Sequence, residues 1–323
     1  MLFEDLPTTP RSEELLDKAF SRAARSGRAK DGKEAEESML RTAANITSDN
    51  LENVVTAWPD FDHEVHPFYY ELADAVVDVD ALRQSLNEVD WAGRRIDDLR
   101  EEYVSRIRTA DTETATKHRK QAFARIADIT DEIGDDLRAV GDARDDLRDL
   151  PDVRPDEPTV VVAGYPNVGK SSFVNAVTRA DNEIAGYPFT TKGVQVGHFE
   201  RDRLRYQIVD TPGVLDRPDE QRNDIEAQAV SALTHLADVV VFVLDADGAC
   251  GYPLDAQFAL RDELDERFDA PVRTVCNKAD RSRDAPADAY MSVTEGENVD
   301  GVLDAAVDAV DWTPDELPPS RQE

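Results

Sequence analysis

The chain predicts an α/β fold, a doubly wound and mostly parallel sheet, preceded by an all-α helical-bundle domain with a long antiparallel helical hairpin. Three observations carry this prediction. From about residue 156 onward, short β-branched runs alternate with helical segments, the pattern of strands joined by crossover helices. Before residue 150, two long apolar stripes recur in three- and four-residue steps, as in paired helices. Between the two regions, Leu150-Pro151 and Arg154-Pro155 stop a helix and make a boundary. The expected division is a helical domain over 1–155, the sheet domain over 156–312 and a polar tail over 313–323.

In the first half, Leu15, Leu16, Ala19, Phe20 and Ala23 repeat at helical spacing. Pro67 sits where a first helical residue belongs, and Phe68, Leu72 and Val76 follow on one face. Leu82, Leu86, Val89, Gly93, Ile96, Tyr103 and Ile107 form one long stripe, with Arg100 in its gap. Phe123, Ile126, Thr130, Ile133, Leu137, Val140 and Leu147 form a second, interrupted by Arg144. The polar stretch from Thr109 to Thr116 is the expected connector of the hairpin.

In the second half, Thr159–Ala163 (TVVVA) has the composition of a strand buried on both faces. Val194–Phe199 and Leu204–Val209 read as an antiparallel hairpin. A helix from about Asp224 leads to a central strand, Asp238–Leu244. Val272–Cys276 is another buried strand, Ala289–Met291 is strand-like, and Gly301–Val310 reads as the closing helix. No internal repeat is evident.

Chemistry enters at the ends of these strands. Gly164-Tyr165-Pro166-Asn167-Val168-Gly169-Lys170-Ser171 follows the first strand and opens a helix, the context a phosphate-binding loop requires. Its glycines allow backbone N–H groups to approach phosphates, and the helix start adds a positive dipole end. Val168, Gly169 and Ser172 belong to the same cradle. Lys170 places a point charge on the β- and γ-phosphates, and the Ser171 hydroxyl is a ligand for Mg²⁺. Asp210 closes the strand Leu204–Val209, where a carboxylate holds Mg²⁺ through its water shell. In Asp210-Thr211-Pro212-Gly213, Gly213 supplies an N–H for the γ-phosphate and the freedom a switch needs.

Asn277-Lys278-Ala279-Asp280 completes the ordered set. Guanine offers an N1–H and an N2 amine side by side, and the two oxygens of Asp280 accept both. Adenine would leave that carboxylate unmatched, a mismatch that discriminates strongly. The Lys278 stem lies along the base, and Asn277 ties this loop to the phosphate loop. Ser292 and Val293 are placed to offer backbone N–H groups to the guanine O6. The expected ligands are therefore GTP or GDP with Mg²⁺.

The composition shapes what else is expected. The chain carries 69 acidic and 37 basic side chains, a formal net charge of −32, and only eight of the basic residues are lysines. An acidic, lysine-poor surface suits concentrated salt, chiefly KCl inside a cell, where charge is screened within a few Å. In such a protein the acidity does not exclude nucleic-acid partners. Positive charge survives in two clusters: Lys18, Arg22, Arg25, Arg28, Lys30 and Lys33, and Lys117, His118, Arg119, Lys120 and Arg125. Either one has the alternative of being an ordinary solvated helix face. Cys250 and Cys276 suggest no disulfide framework, and Cys276 reads as a small core residue. With an acidic N-terminus and no run of eighteen apolar residues, a cytoplasmic protein without a membrane partner is expected.

Taken together, these motifs resemble the Obg-related translation-factor GTPases, and more narrowly the nucleolar GTP-binding protein 1 family, in the shorter archaeal form. The resemblance rests on GYPNVGKSSFVNAVTRAD from Gly164, YPFTTKGVQVGHF from Tyr187, DTPGVLDRPDEQRNDIEAQAVSALTHL from Asp210 and HPFYYELAD from His66. It implies a P-loop GTPase domain docked to its helical domain, and a role in maturing the large ribosomal subunit. Partners implied are that subunit or its precursor, with rRNA met through the helical domain; DNA is not expected. It further implies that Thr191, rather than Thr190, reaches Mg²⁺ and the γ-phosphate in the GTP state. Ras-like enzymes orient the attacking water with a Gln after the switch glycine, whereas Val214 and Leu215 stand here. In such hydrophobic-substituted GTPases an Asn at the place of Asn167 often helps seat K⁺ beside the phosphates, so K⁺-stimulated hydrolysis is expected. The expected catalytic set is Lys170, Asn167, Thr191 and Gly213. An alternative from another class is a GTP-gated binding module on a protein partner, with incidental hydrolysis.

Overall fold

The computed structural model describes residues 3–150, 153–178, 183–185, 194–201, 203–211, 215–222 and 224–310. Of the expected site residues, Thr191 and Gly213 lie outside these, as do Thr190 and Val214. By its internal contacts the chain forms two compact units. One comprises the chain up to Val65 with Val76–Arg148; the other comprises His66–Ala75 with the chain from Asp149 onward.

The first unit is all helical. Helix α1 (Ser12–Gly27) is followed by α2 (Gly32–Thr56) and, after α3 (Pro67–Val76) of the second unit, by α4 (Val79–Thr109), α5 (Thr112–Glu132) and α6 (Gly134–Leu147). The sequence reading leaves α2 out, yet it packs against α1, α4 and α5. Its buried residues are small or polar as well as apolar: Ala43, Ala44, Thr47 and Ser48 beside Leu40 and Leu51. The Thr47 hydroxyl donates back to the Ala43 carbonyl at 3.0 Å, which satisfies it inside the helix.

Two expectations about the hairpin are corrected. Its connector is only Ala110–Asp111, because the Asp111 carboxylate caps α5 by accepting from the Thr114 N–H at 2.9 Å. The polar stretch to Thr116 is therefore mostly helix. The second stripe is also not one helix: it breaks at Ile133–Gly134, where Ile133 leaves helical geometry (ψ +13°). The arginines that interrupt the stripes fasten neighbouring segments. Arg144 is buried and donates to the Leu6 carbonyl at 2.8 Å; Arg100 donates to Asn45 Oδ1 at 2.6 Å.

In the second unit the Tyr69 hydroxyl of α3 donates to the Val153 carbonyl (2.6 Å) and accepts from the Val153 N–H (3.0 Å). Sequence reading places α3 in the helical half; by contact it belongs with the sheet. The elements that follow are β1 (Thr159–Ala163), α7 (Lys170–Val177), β2 (Glu183–Ala185), β3 (Val194–Arg201), β4 (Leu204–Asp210), α8 (Asp224–Thr234), β5 (Val239–Asp245), α9 (Leu254–Arg267), β6 (Val272–Asn277), β7 (Ala289–Tyr290) and α10 (Val299–Val307). The strand order is β2-β3-β4-β1-β5-β6-β7. β4, β1, β5, β6 and β7 run parallel; β3 runs against them, pairing antiparallel with β4 in the expected hairpin and with β2 on its other side. Every residue of β1 and β5 is buried, as their unbroken apolar runs require. The register pairs Val162 with Asp210 and Asp245 with Asn277. The carboxyl ends of β1, β4, β5 and β6 thus bring Gly164, Asp210, Asp245 and Asn277 to one edge, where open α/β sheets bind ligands. Among the described residues no helix is long and apolar enough to cross a membrane.

Candidate functional site

The loop between β1 and α7 is held in a shape that only its own residues accept. Gly164 and Gly169 have φ of +131° and +110°. A Cβ at Gly164 would lie 2.3 Å from the Val243 carbonyl oxygen, and one at Gly169 would lie 2.1 Å from Asn277 Nδ2. Asn167 is also left-handed, at φ +64°, and its exposed side chain makes no hydrogen bond to a described residue. The Lys170 ammonium folds into the loop, donating to the carbonyls of Gly164 (2.6 Å) and Tyr165 (3.0 Å). A cation is thereby centred under a concave backbone at the first turn of a helix, which is an anion site.

Asp210 sits beside it, fully buried at the end of β4. Its Oδ2 accepts from the Ser171 hydroxyl, while its Oδ1 has no partner among the described residues. Burial pushes the Asp210 carboxyl above the usual carboxylate range, against the pull of the Ser171 hydrogen bond and the Lys170 charge. A buried carboxylate oxygen without a donor, next to a hydroxyl, fits a hard divalent cation carrying waters. The residues present therefore suit Mg²⁺. Thr211 donates to the Val162 carbonyl at 3.2 Å, and Leu215 is buried, its carbonyl accepting from the Gly164 N–H at 3.1 Å.

The third cluster follows β6. The Asn277 amide donates to the Val168 carbonyl at 2.9 Å, and its oxygen lies 3.2 Å from the Val293 N–H. One side chain so clamps the phosphate loop to the segment after β7. Lys278, left-handed at φ +57°, donates to the Asn167 carbonyl (3.0 Å) and to Asp245 (2.6 Å). Asp280 Oδ1 accepts from the Ser292 hydroxyl at 2.6 Å. The Ser292 N–H donates to the Glu297 carbonyl at 3.0 Å, so both expected amide donors, Ser292 and Val293, already have partners within the chain.

Gly164, Asn167, Val168, Gly169, Lys170, Ser171, Ser172, Asp210, Asn277, Lys278, Asp280, Ser292 and Val293 are thus all carried by the strand ends, loops and first turn of α7 at this one edge. Sequence reasoning missed two contributors: the Ser292 hydroxyl as the partner of Asp280, and Asp245 as the partner of Lys278. The signal for Asp245 was an acidic residue closing the apolar run VVVFVLD.

The two basic clusters separate in the structure. Arg119 pairs with Glu36 at 2.5 Å, Lys117 with Glu113 at 2.8 Å, and Arg125 lies over the Tyr103 ring, whose edge His118 meets. That cluster is largely engaged internally. In the first, Lys18 and Lys33 donate to Asn50 and to the Arg108 carbonyl, whereas Arg22, Arg25, Arg28 and Lys30 are exposed and pair with no described residue.

Comparison with known proteins matches residues 3–154 to the NOG1 N-terminal helical domain and residues 159–278 to a 50S ribosome-binding GTPase domain. An uncharacterized protein of Methanocaldococcus jannaschii is 39% identical over 288 residues, 86% of this chain and 81% of its own length. Nucleolar GTP-binding protein 1 of Drosophila melanogaster is 37% identical over 72% of this chain, and that of Arabidopsis thaliana 40% identical over 67%. The chain spans only 36% and 33% of those two proteins. A crystal structure from Plasmodium falciparum named for nucleolar GTP-binding protein 1 is 31% identical, covering 50% of this chain and 90% of its own, at a TM-score of 0.45.

Proposed function

The chain belongs to the nucleolar GTP-binding protein 1 family, and on that premise we propose that it is a Mg²⁺-dependent GTPase of large-ribosomal-subunit assembly. The observation that carries the proposal is the convergence at one sheet edge of a lysine-centred anion loop, the buried Asp210–Ser171 pair and the Asn277–Asp280 loop. Each alone is common. Joined through Asn277 they make a site that senses base and phosphates together.

In this reading the phosphates lie against Lys170 and the backbone of Gly164–Ser172. Ser171 and Asp210 hold Mg²⁺, with Thr191 completing its ligands in the GTP state. When bound, the metal neutralises charge on the β- and γ-phosphates. Asp280 accepts from the guanine N1–H and N2 amine, held in place by Ser292, and the Val293 N–H turns from Asn277 Oδ1 to meet O6. Gly213 contributes an N–H to the γ-phosphate. Hydrolysis then depends on positioning and electrostatics, since neither Val214 nor Leu215 can hydrogen-bond a water by its side chain. The Asn167 amide, which bonds to no described residue, supports a role for K⁺ beside the phosphates, where added positive charge stabilises the transition state. We further propose that Arg22, Arg25 and Arg28 contact rRNA phosphates, which position a protein without reading sequence. The acidic, lysine-poor composition supports a cytoplasm rich in KCl.

Multiple-turnover GTP hydrolysis, measured in KCl and in NaCl with and without large ribosomal subunits, tests this. Faster turnover in KCl and further stimulation by subunits are expected; equal rates in both salts remove the K⁺ role.

A further inference from the structure

The lysine that bridges the base loop and the phosphate loop is held by one buried carboxylate that belongs to neither motif. Asp245, the last residue of β5, is fully buried. Its Oδ2 accepts from Lys278 Nζ at 2.6 Å and from the Cys250 N–H at 2.9 Å, and its Oδ1 accepts from the Asp247 N–H at 3.1 Å. Its own backbone is bracketed by buried Gln257, whose amide accepts from the Asp245 N–H (2.9 Å) and donates to the Asp245 carbonyl (3.1 Å). The carboxylate is thus fixed from the sheet side, and it fixes the lysine in turn.

We propose that Asp245 is a positioning residue for guanine recognition, acting through Lys278. This rests on the nucleotide reading of the site. Lys278 is pinned at both ends: its backbone is left-handed, and its ammonium bridges Asp245 and the Asn167 carbonyl of the phosphate loop. A left-handed non-glycine residue is strained and persists where its surroundings over-determine it. A free lysine stem would lose rotamer entropy on lying along a base. Held by Asp245, the stem is ordered at folding, and binding is spared that cost. The same turn carries Asp280, two residues on, so its two oxygens are presented in a set direction. Through the Cys250 N–H, Asp245 also shapes the turn bearing Tyr252, whose ring stacks on Tyr165 of the phosphate loop at 4.1 Å. A buried ion pair is weak as a source of stability, since an apolar pair of similar volume does as well. Its value here is direction at the ligand edge.

A four-variant cycle tests this: the full chain, Asp245→Asn, Lys278→Met and the double variant, each titrated with GDP and with ADP. Asp245→Asn is expected to weaken GDP binding by about ten- to a hundredfold, as for a lost charge-assisted hydrogen bond, and to leave ADP binding unchanged. The double variant is expected to be no weaker than the weaker single. GDP affinity in Asp245→Asn within about twofold of wild type, equal losses for GDP and ADP, or additive losses in the cycle overturn the proposal. Wild type that fails to prefer GDP sinks the nucleotide reading itself, and the proposal with it. Should Asp245→Asn not fold, amine acylation of the wild-type chain decides. Lys278 is then expected to react at least about tenfold more slowly than exposed Lys30 and Lys120, and equal reactivity overturns the pairing.

Discussion

At the scale of single residues, the site depends on groups held where their chemistry costs something. Asp210 is the clearest case: burial raises its carboxyl, so between the ordinary aspartate value and the raised one the folded protein binds more protons than the unfolded chain. Stability of the nucleotide-free protein therefore falls as pH climbs through that window and is level above it. Mg²⁺ affinity follows the opposite course, rising as the carboxylate ionises. Denaturant midpoints of wild type and Asp210→Asn across mildly acid pH check this. The wild type is expected to lose stability relative to the variant as pH rises; parallel curves contradict it. The glycine-lined loop, Lys170 and Asp280 were legible in the sequence because each follows from what a phosphate or a guanine edge demands. Asp245 was not, because its role depends on a strand register that sets Asp245 beside Asn277. Thr191 and Gly213 remain assignments made from the motif alone.

At the scale of elements, legibility followed pattern strength. β1 and β5 are unbroken apolar runs and form the buried centre of the sheet. Helix α2 went unread because its inward face mixes Ala43, Ala44, Thr47 and Ser48 with leucines, and three neighbours cover it where an amphipathic helix presents one stripe. The α5–α6 break was invisible because the apolar spacing runs straight through Ile133 and Gly134. Gly134 has an ordinary backbone, and a Cβ there would meet Ser12 Oγ at 3.5 Å, a normal contact. Gly134→Ala is therefore expected to stabilise the chain by about 0.4–1 kcal/mol through the unfolded state, read from urea midpoints. Destabilisation would mean that the break needs the glycine. Helix α3 illustrates a different limit: its start at Pro67 was legible, but its membership of the sheet unit rests on Tyr69 and Val153, 84 residues apart.

At the scale of the whole molecule, a net charge of −32 makes any exposed basic cluster informative. Arg22, Arg25 and Arg28 have no acidic partner among the described residues, unlike Arg119. Replacing all three with Ala is expected to weaken cosedimentation with large ribosomal subunits and to flatten its salt dependence, with hydrolysis in the absence of subunits unchanged. Unchanged cosedimentation would move the docking surface elsewhere.

The central claim is that the second unit closes around a guanine nucleotide. Titration calorimetry of the full chain in concentrated KCl with Mg²⁺ tests it most directly. GDP is expected to bind at least about a thousandfold more tightly than ADP, with the preference lost in Asp280→Asn. Equal affinity for the two nucleotides in folded wild-type protein would contradict the account.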